Sequence, residues 1–242
     1  MTQDNEAFKP IRSPLAGWMG GKFQLSNRIV AEIPEHLCYV EPFAGAAWVL
    51  FRKPESEVEV INDINRELVT FYRCIQHHLE EFVRYFKWVL VARDEFERLK
   101  RVQPDTLTDI QRAARFYYLY YLQQQCFGGR LTTPSFGYAA VRGPKLNLLR
   151  IEETLSAAHL RLARAYVECL PYHEVIRRYD KPHHLLLHRS AVLGLRGLLR
   201  QGLFQPGGLR QAGGAAGGRA GEVHPLPERH ARRPGDLQAL PL

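Results

Sequence analysis

Three short stretches carry residues that can do chemistry together. The first is Trp18-Met19-Gly20-Gly21-Lys22, an aromatic, two glycines and a cation set just before a helical run expected over Phe23 to Ile33. Such a stretch can offer backbone N–H groups and an ammonium to a carboxylate, with an indole face beside them for a cation. The second is Tyr39-Val40-Glu41-Pro42-Phe43-Ala44-Gly45-Ala46-Ala47, in which small residues let a turn run close to a ligand. The third is Val58-Glu59-Val60-Ile61-Asn62-Asp63, whose acidic end falls about 20 positions after the turn, where nucleotide-binding folds place a carboxylate on two ribose hydroxyls. A nucleoside cofactor suits this set. Small residues after an apolar strand also occur where a helix merely packs tightly on a sheet, and both readings stand at this point.

The elements that must position these residues follow from the pattern. Leu37 to Val40 and Val58 to Ile61 are short, apolar and β-branched, the mark of buried strands, and a helix is expected to start after Ala44 to Ala47. Glu67 to Leu90 is apolar at helical spacing. Asp109 to Cys126 is a second helical run, with Phe116, Tyr117, Tyr118, Tyr120 and Tyr121 on every side of it; packing in the core is the main expectation, and a face turned to a nucleic acid or another subunit is the other. Phe127 to Tyr138 changes to turn residues, hydroxyls and aromatics, as a projecting hairpin or loop does. Beyond it come a helix (Ile151 to Arg164), a strand (Ala165 to Cys169), a short helix (Tyr172 to Arg178) and a last buried strand ending near Leu187. This alternation predicts an α/β fold with a mainly parallel sheet.

In order and spacing, Trp18-x-Gly20-Gly21-Lys22, Val40-Glu41-Pro42-Phe43-x-Gly45 and Asn62-Asp63-Ile64-Asn65 resemble the Dam-like (D12 class) DNA adenine-N6 methyltransferases, which use S-adenosylmethionine. The resemblance implies a Rossmann-like sheet formed by residues 1–80 and 150–187, with a helical and hairpin DNA-recognition insertion over 81–149. It implies that Trp18, Gly20, Gly21 and Lys22 hold the methionine part of the cofactor. Pro42, Phe43 and Gly45 line the turn beneath it, and Asp63 binds its ribose. Arg130, Tyr138, Arg142 and Lys145 would meet phosphates or base edges of double-stranded DNA. A solvated glycine hairpin with scattered cations is the alternative for that segment. Where the family often has a further glycine, this chain has Ala47.

A departure lies at the end of the last strand, where the family carries Asp-Pro-Pro-Tyr: the residues here are Arg189-Ser190-Ala191-Val192. From His188 onward the chain has no Tyr, Trp or Lys and one Phe, among many Gly, Arg, Pro and Ala. Gly213 to Arg219 lacks the strand and the Lys-Ser/Thr ending of a phosphate loop, although Gly- and Arg-rich tails can bind nucleic acid. The genetic code offers another explanation. Codons allowed for His188 to Gly194, read one nucleotide later, can give Ile-Asp-Pro-Pro-Tyr-Trp. Two letters of every shifted codon are fixed by the visible residues, so chance seldom produces such a string. We expect a frameshift near Leu187, a disordered out-of-frame tail over 188–242, and little or no methyl transfer by the chain as written.

Composition agrees with a soluble α/β protein: 242 residues, 45% apolar and 24% charged, with a formal charge of +8 that favours a polyanionic partner. No stretch has the length of a membrane span or the pattern of a signal peptide, so a cytoplasmic location is expected, without a membrane partner. Cys38, Cys74, Cys126 and Cys169 are too far apart for a zinc motif or a disulfide framework and read as reduced thiols, so no metal is expected.

Overall fold

A computed structural model describes residues 9–18, 21–123, 136, 146 and 150–188. Its centre is a parallel sheet of β1 (Cys38–Glu41), β2 (Val58–Asn62), β3 (Ala165–Glu168) and β4 (His184–Leu186), in the order β3-β2-β1-β4. Cys38 lies opposite Val58 and His184, and Glu59 opposite Ala165. The sheet is Rossmann-like, as expected. All four residues of β1 are buried, which is why its first three, Cys38 to Val40, read as an apolar run rather than as an alternation.

The two faces are covered unequally. Cys38, Val40 and Val60 meet Val175 of one helix. Tyr39 and Ile61, on the other face, join a much larger cluster that draws on several helices. In chain order the helices are α1 (Ser26–Ala31), α2 (Arg66–His77), α3 (Leu79–Phe86), α4 (Arg93–Arg101), α5 (Asp109–Gln123), α6 (Ile151–Leu162) and α7 (Tyr172–Tyr179), with a 3-10 turn at Pro104–Thr106. Asn65 caps α2, accepting from the N–H groups of Glu67 and Leu68. The described part of the expected insertion, 81–123, packs into this cluster. Tyr117 of α5 stacks on Phe71 of α2 at 5.3 Å and meets Phe82 of α3 edge-on at 5.6 Å.

Several elements depart from the pattern read in the sequence. The helix expected after Ala47 is a run of turns, in which Phe51 and Lys53 donate to the carbonyls of Ala47 and Val49. Gly45 and Ala47 both have left-handed φ, +51° and +48°, which prevents a regular helix start there, and Pro54 closes the run. The run over Glu67 to Leu90 breaks at His78, whose φ of −137° ends α2 and begins α3. Helix α4 was not foreseen, because only Phe96 and Leu99 of its nine residues are buried. As for the aromatic crowd on α5, Tyr117, Tyr118 and Tyr120 are buried, so packing is what it serves. Cys38 and Cys74 are buried free thiols, Cys169 is a half-buried one, and burial pushes the Cys74 thiol up to about 11. Cys126, the greater part of the expected hairpin and residues 189–242 lie outside the described residues.

Candidate functional site

The three motifs converge at the C-terminal ends of β1 and β2. Strand β1 delivers Glu41, and the chain then turns through Pro42, Phe43, Ala44 and Gly45 beside the end of β2. Asn62 secures this turn. Its amide donates to the carbonyls of Pro42 (2.9 Å) and Leu170 (3.0 Å), its side-chain oxygen accepts from Leu170 N–H (2.7 Å), and its backbone carbonyl accepts from Ala44 N–H (2.9 Å).

Asp63 follows directly. One carboxylate oxygen accepts from Gly45 N–H at 3.0 Å and the other from Asn65 N–H at 3.0 Å. Each oxygen of a carboxylate has two lone pairs, so this half-buried group can still accept from a diol. The Gly45 carbonyl accepts from the Tyr72 hydroxyl of α2 at 2.7 Å. A Cβ on Gly45 would lie 2.9 Å from Trp18 Nε1, so the indole sits directly against the turn. The turn thus approaches its neighbours more closely than any side chain would permit.

Trp18 arrives on an irregular segment, and its ring lies against Tyr120 (5.5 Å between centroids) and Phe116 (6.2 Å) of α5. Gly21 N–H donates to the Trp18 carbonyl at 3.0 Å, and a Cβ on Gly21 would stand 2.9 Å from that oxygen, so only glycine fits. Gly20 lies outside the described residues. Lys22 is nearly buried. Its ammonium donates to the Phe43 carbonyl (3.2 Å) and pairs with Glu41 (3.4 Å), supporting the turn through its backbone and its preceding acid. Phe43 stacks on Tyr172, the first residue of α7, at 5.7 Å.

Glu41 is the residue whose importance the motif reading passed over. It is fully buried, and besides Lys22 it accepts from the Tyr39 hydroxyl (2.9 Å) and from Leu50 N–H (3.0 Å), where the turn returns to the core. Burial, and then the Glu41 charge, hold the Tyr39 phenol well above its ordinary range, so it remains a donor. The signal was available: a carboxylate at the end of an apolar strand needs partners. A cleft of about 800 Å³ opens beside Trp18 between Arg12, Phe23, Trp48, Arg52 and Tyr121, so aromatic faces and two guanidinium groups line it.

Arg130, Tyr138, Arg142 and Lys145 lie outside the described residues, as do Arg189 to Val192. Phe136 is described: it meets Phe96 of α4 edge-on at 5.6 Å, with Arg93 over its ring at 4.9 Å. Among the described residues no group of three or more His, Cys, Asp or Glu is placed to hold a metal ion, and no helix is long and apolar enough to cross a membrane.

The sequence has counterparts among known proteins. The family model for D12 class N6 adenine-specific DNA methyltransferases matches residues 18–186. A DNA adenine methylase of Serratia marcescens is 31% identical over 117 residues, 46% of this chain and 42% of that protein. One of Salmonella typhi is 27% identical over 68% of this chain and 59% of its own length. The DNA N-6-adenine-methyltransferase of Escherichia phage P1 is 27% identical over 58% of this chain and 19% of its own. The chain thus spans between about a fifth and three fifths of the length of these curated relatives.

Proposed function

Because the chain belongs to the D12 class of N6 adenine-specific DNA methyltransferases, we propose that its described residues bind S-adenosylmethionine at the C-terminal edge of the sheet, in the service of methyl transfer to adenine N6 in double-stranded DNA. The observation that carries this is the contact of three motifs at one point, with Trp18 against Gly45 and Gly45 N–H on Asp63. The residues present fit the cofactor. Asp63 keeps acceptor capacity for the ribose hydroxyls, and Gly45, having no Cβ, lets the Trp18 indole close on the turn beside it. Pro42 and Phe43 continue that floor. Trp18, Gly21 and Lys22 flank the methionine end, Lys22 acting through the Phe43 carbonyl and the Glu41 charge, and Gly20 is assigned to it from the motif alone. When bound, the cofactor supplies a sulfonium methyl group. The protein's part is to hold and orient: it fixes the turn through Asn62 and Glu41 and keeps water from the buried side of the site.

The adenine amino group is a weak nucleophile, and the base has to leave the duplex to be reached. In the family an Asp-Pro-Pro-Tyr tetrad holds it, and we propose that the chain as written lacks this tetrad through a frameshift near Leu187. Two observations support this reading: the family match stops at residue 186, and codons permitted for His188 to Leu193 can spell the tetrad when read one nucleotide later. The DNA-facing residues are Arg130, Tyr138, Arg142 and Lys145 in this reading. A methylation-silent binder of the cofactor or of DNA is then what the written chain amounts to.

Titration calorimetry with S-adenosylmethionine tests the cofactor site. The chain should bind, and Asp63→Ala should abolish the heat while costing only about 1 kcal/mol of stability. Equal binding by both proteins, or none by the wild type, overturns the assignment. Deleting one nucleotide between codons 187 and 188 tests the remainder. The restored protein should methylate adenine in duplex DNA where the written chain does not, and methyl transfer by the written chain would refute the frameshift.

A further inference from the structure

The segment that brings Trp18 to the site has no regular secondary structure, yet it is tied down from two sides. On one side, Ile11 N–H donates to the Phe51 carbonyl (2.8 Å) and the Ser13 hydroxyl to the Ala46 carbonyl (2.6 Å), both in the turn run after β1. On the other side stands α5. The Tyr121 hydroxyl donates to the Pro14 carbonyl at 2.6 Å, and the Tyr120 hydroxyl lies 3.1 and 3.3 Å from the carbonyls of Leu15 and Ala16. Three consecutive carbonyls of an irregular segment are thus taken up by two neighbouring phenols, and that of Leu15 also accepts from Trp18 N–H at 3.2 Å.

The helix that holds them is itself firmly placed. Tyr117, one turn before Tyr121, is buried against Phe71, Phe82 and Phe86. Phe116, one turn before Tyr120, carries the Trp18 ring together with Tyr120. Two residues beyond the last tied carbonyl, Trp18 meets the place where a Gly45 Cβ would lie. A small tilt of the 14–16 backbone therefore moves the indole relative to the turn.

We infer that Tyr120 and Tyr121 are positioning residues of the cofactor site: through their hydroxyl bonds to residues 14–16 they fix the indole of Trp18 against the Gly45 turn. The inference rests on the assignment of S-adenosylmethionine to that turn. It gives α5, a helix packed on α2, α3 and α4, an influence on cofactor affinity.

The test uses the full chain carrying Trp48→Phe and Trp88→Phe, so that Trp18 is the sole fluorophore of its kind. In this background Tyr120→Phe and Tyr121→Phe are combined, which keeps both rings and removes only the hydroxyls. Tyr118→Phe serves as the control, because its hydroxyl bonds to the Leu90 carbonyl on another side of the same helix (2.9 Å) and removes a comparable bond without touching the segment. Without any cofactor, the Tyr120/Tyr121 double variant should red-shift Trp18 emission and raise its acrylamide quenching, and Tyr118→Phe should do neither. With S-adenosylmethionine in a calorimeter, the double variant should lose affinity by about tenfold and the control should keep that of the parent. An unchanged Trp18 signature, or equal losses of affinity in control and double variant, overturns the inference. A parent that binds no cofactor while Trp18 still responds overturns the cofactor assignment instead, and with it the effect on affinity but not the hydroxyl brace.

Discussion

The two ends of the sheet hold charge in opposite ways. Near the N-terminal end of β2, Glu59 lies between Arg161 of α6, which holds it with both guanidinium NH groups, and Lys53, at 2.5 Å. Lys53 also donates to Ser56, whose hydroxyl is 2.7 Å from the His36 ring, and lies over the Tyr39 ring. All three charged side chains are almost wholly buried. Burial alone would raise the Glu59 carboxyl, but the Arg161 hydrogen bonds and the Lys53 charge outweigh it and hold it below the usual range. At the C-terminal end, Asp63 accepts only backbone N–H groups and stays half-exposed, and the charge that is sealed there, Glu41 with Lys22, sits behind the turn. At the closed end both oxygens of Glu59 are taken up by protein donors, whereas at the open end Asp63 keeps acceptor capacity.

Breaking the closed end should have the larger effect on folding. Glu59→Ala leaves two buried cations without their carboxylate, a loss of about 3–5 kcal/mol, which is a large share of the ~5–15 kcal/mol that holds a typical domain together. Urea denaturation should show it as a collapse of the midpoint, and cofactor affinity per folded molecule should be unaltered. A variant of near wild-type stability would show that the Glu59 carboxylate does not hold the two buried cations as described. The same group sets an acid limit. Its carboxyl pKa is depressed on folding, so its contribution is fully present above the ordinary glutamate value and fades as pH falls through the lower folded value.

The open end was far more legible in the sequence than the closed one, for a physical reason. Trp18, Lys22, Gly45 and Asp63 belong to compact motifs whose residue types and spacing resemble those of a known family, so they stand out before any fold is known. Glu59, Lys53 and Arg161 come from three distant places, and a Glu within Val58 to Ile61 reads only as an oddity until α6 brings Arg161 to it. The parallel sheet followed from apolar runs of the right length. The turns after Ala47 did not, because left-handed φ at an alanine leaves no mark in composition. Tyr120 and Tyr121 were visible as aromatics, but their hydroxyl partners are carbonyls about a hundred residues away. Arg130, Tyr138, Arg142 and Lys145 remain expectations of the sequence.

Within the open end, the two left-handed residues should respond differently, and the contrast measures how tightly the turn is built. Gly45→Ala puts a methyl group 2.9 Å from Trp18 Nε1 in a conformation that costs an L-residue about 1–2 kcal/mol, so it should both destabilise the fold and push the indole off the turn. Ala47→Gly is a balance. It relieves the same strain of about 1–2 kcal/mol, but it removes a fully buried methyl worth about 0.8 kcal/mol and adds about 0.5–1 kcal/mol of backbone entropy to the unfolded chain. These contributions nearly cancel, so the midpoint of urea unfolding should move by less than that of Gly45→Ala and cofactor affinity should hold. A gain of well over 1 kcal/mol would mean that the alanine is strained beyond its backbone angle, and that the turn of this chain is less relaxed than its hydrogen bonds to Asn62, Asp63 and Tyr72 indicate.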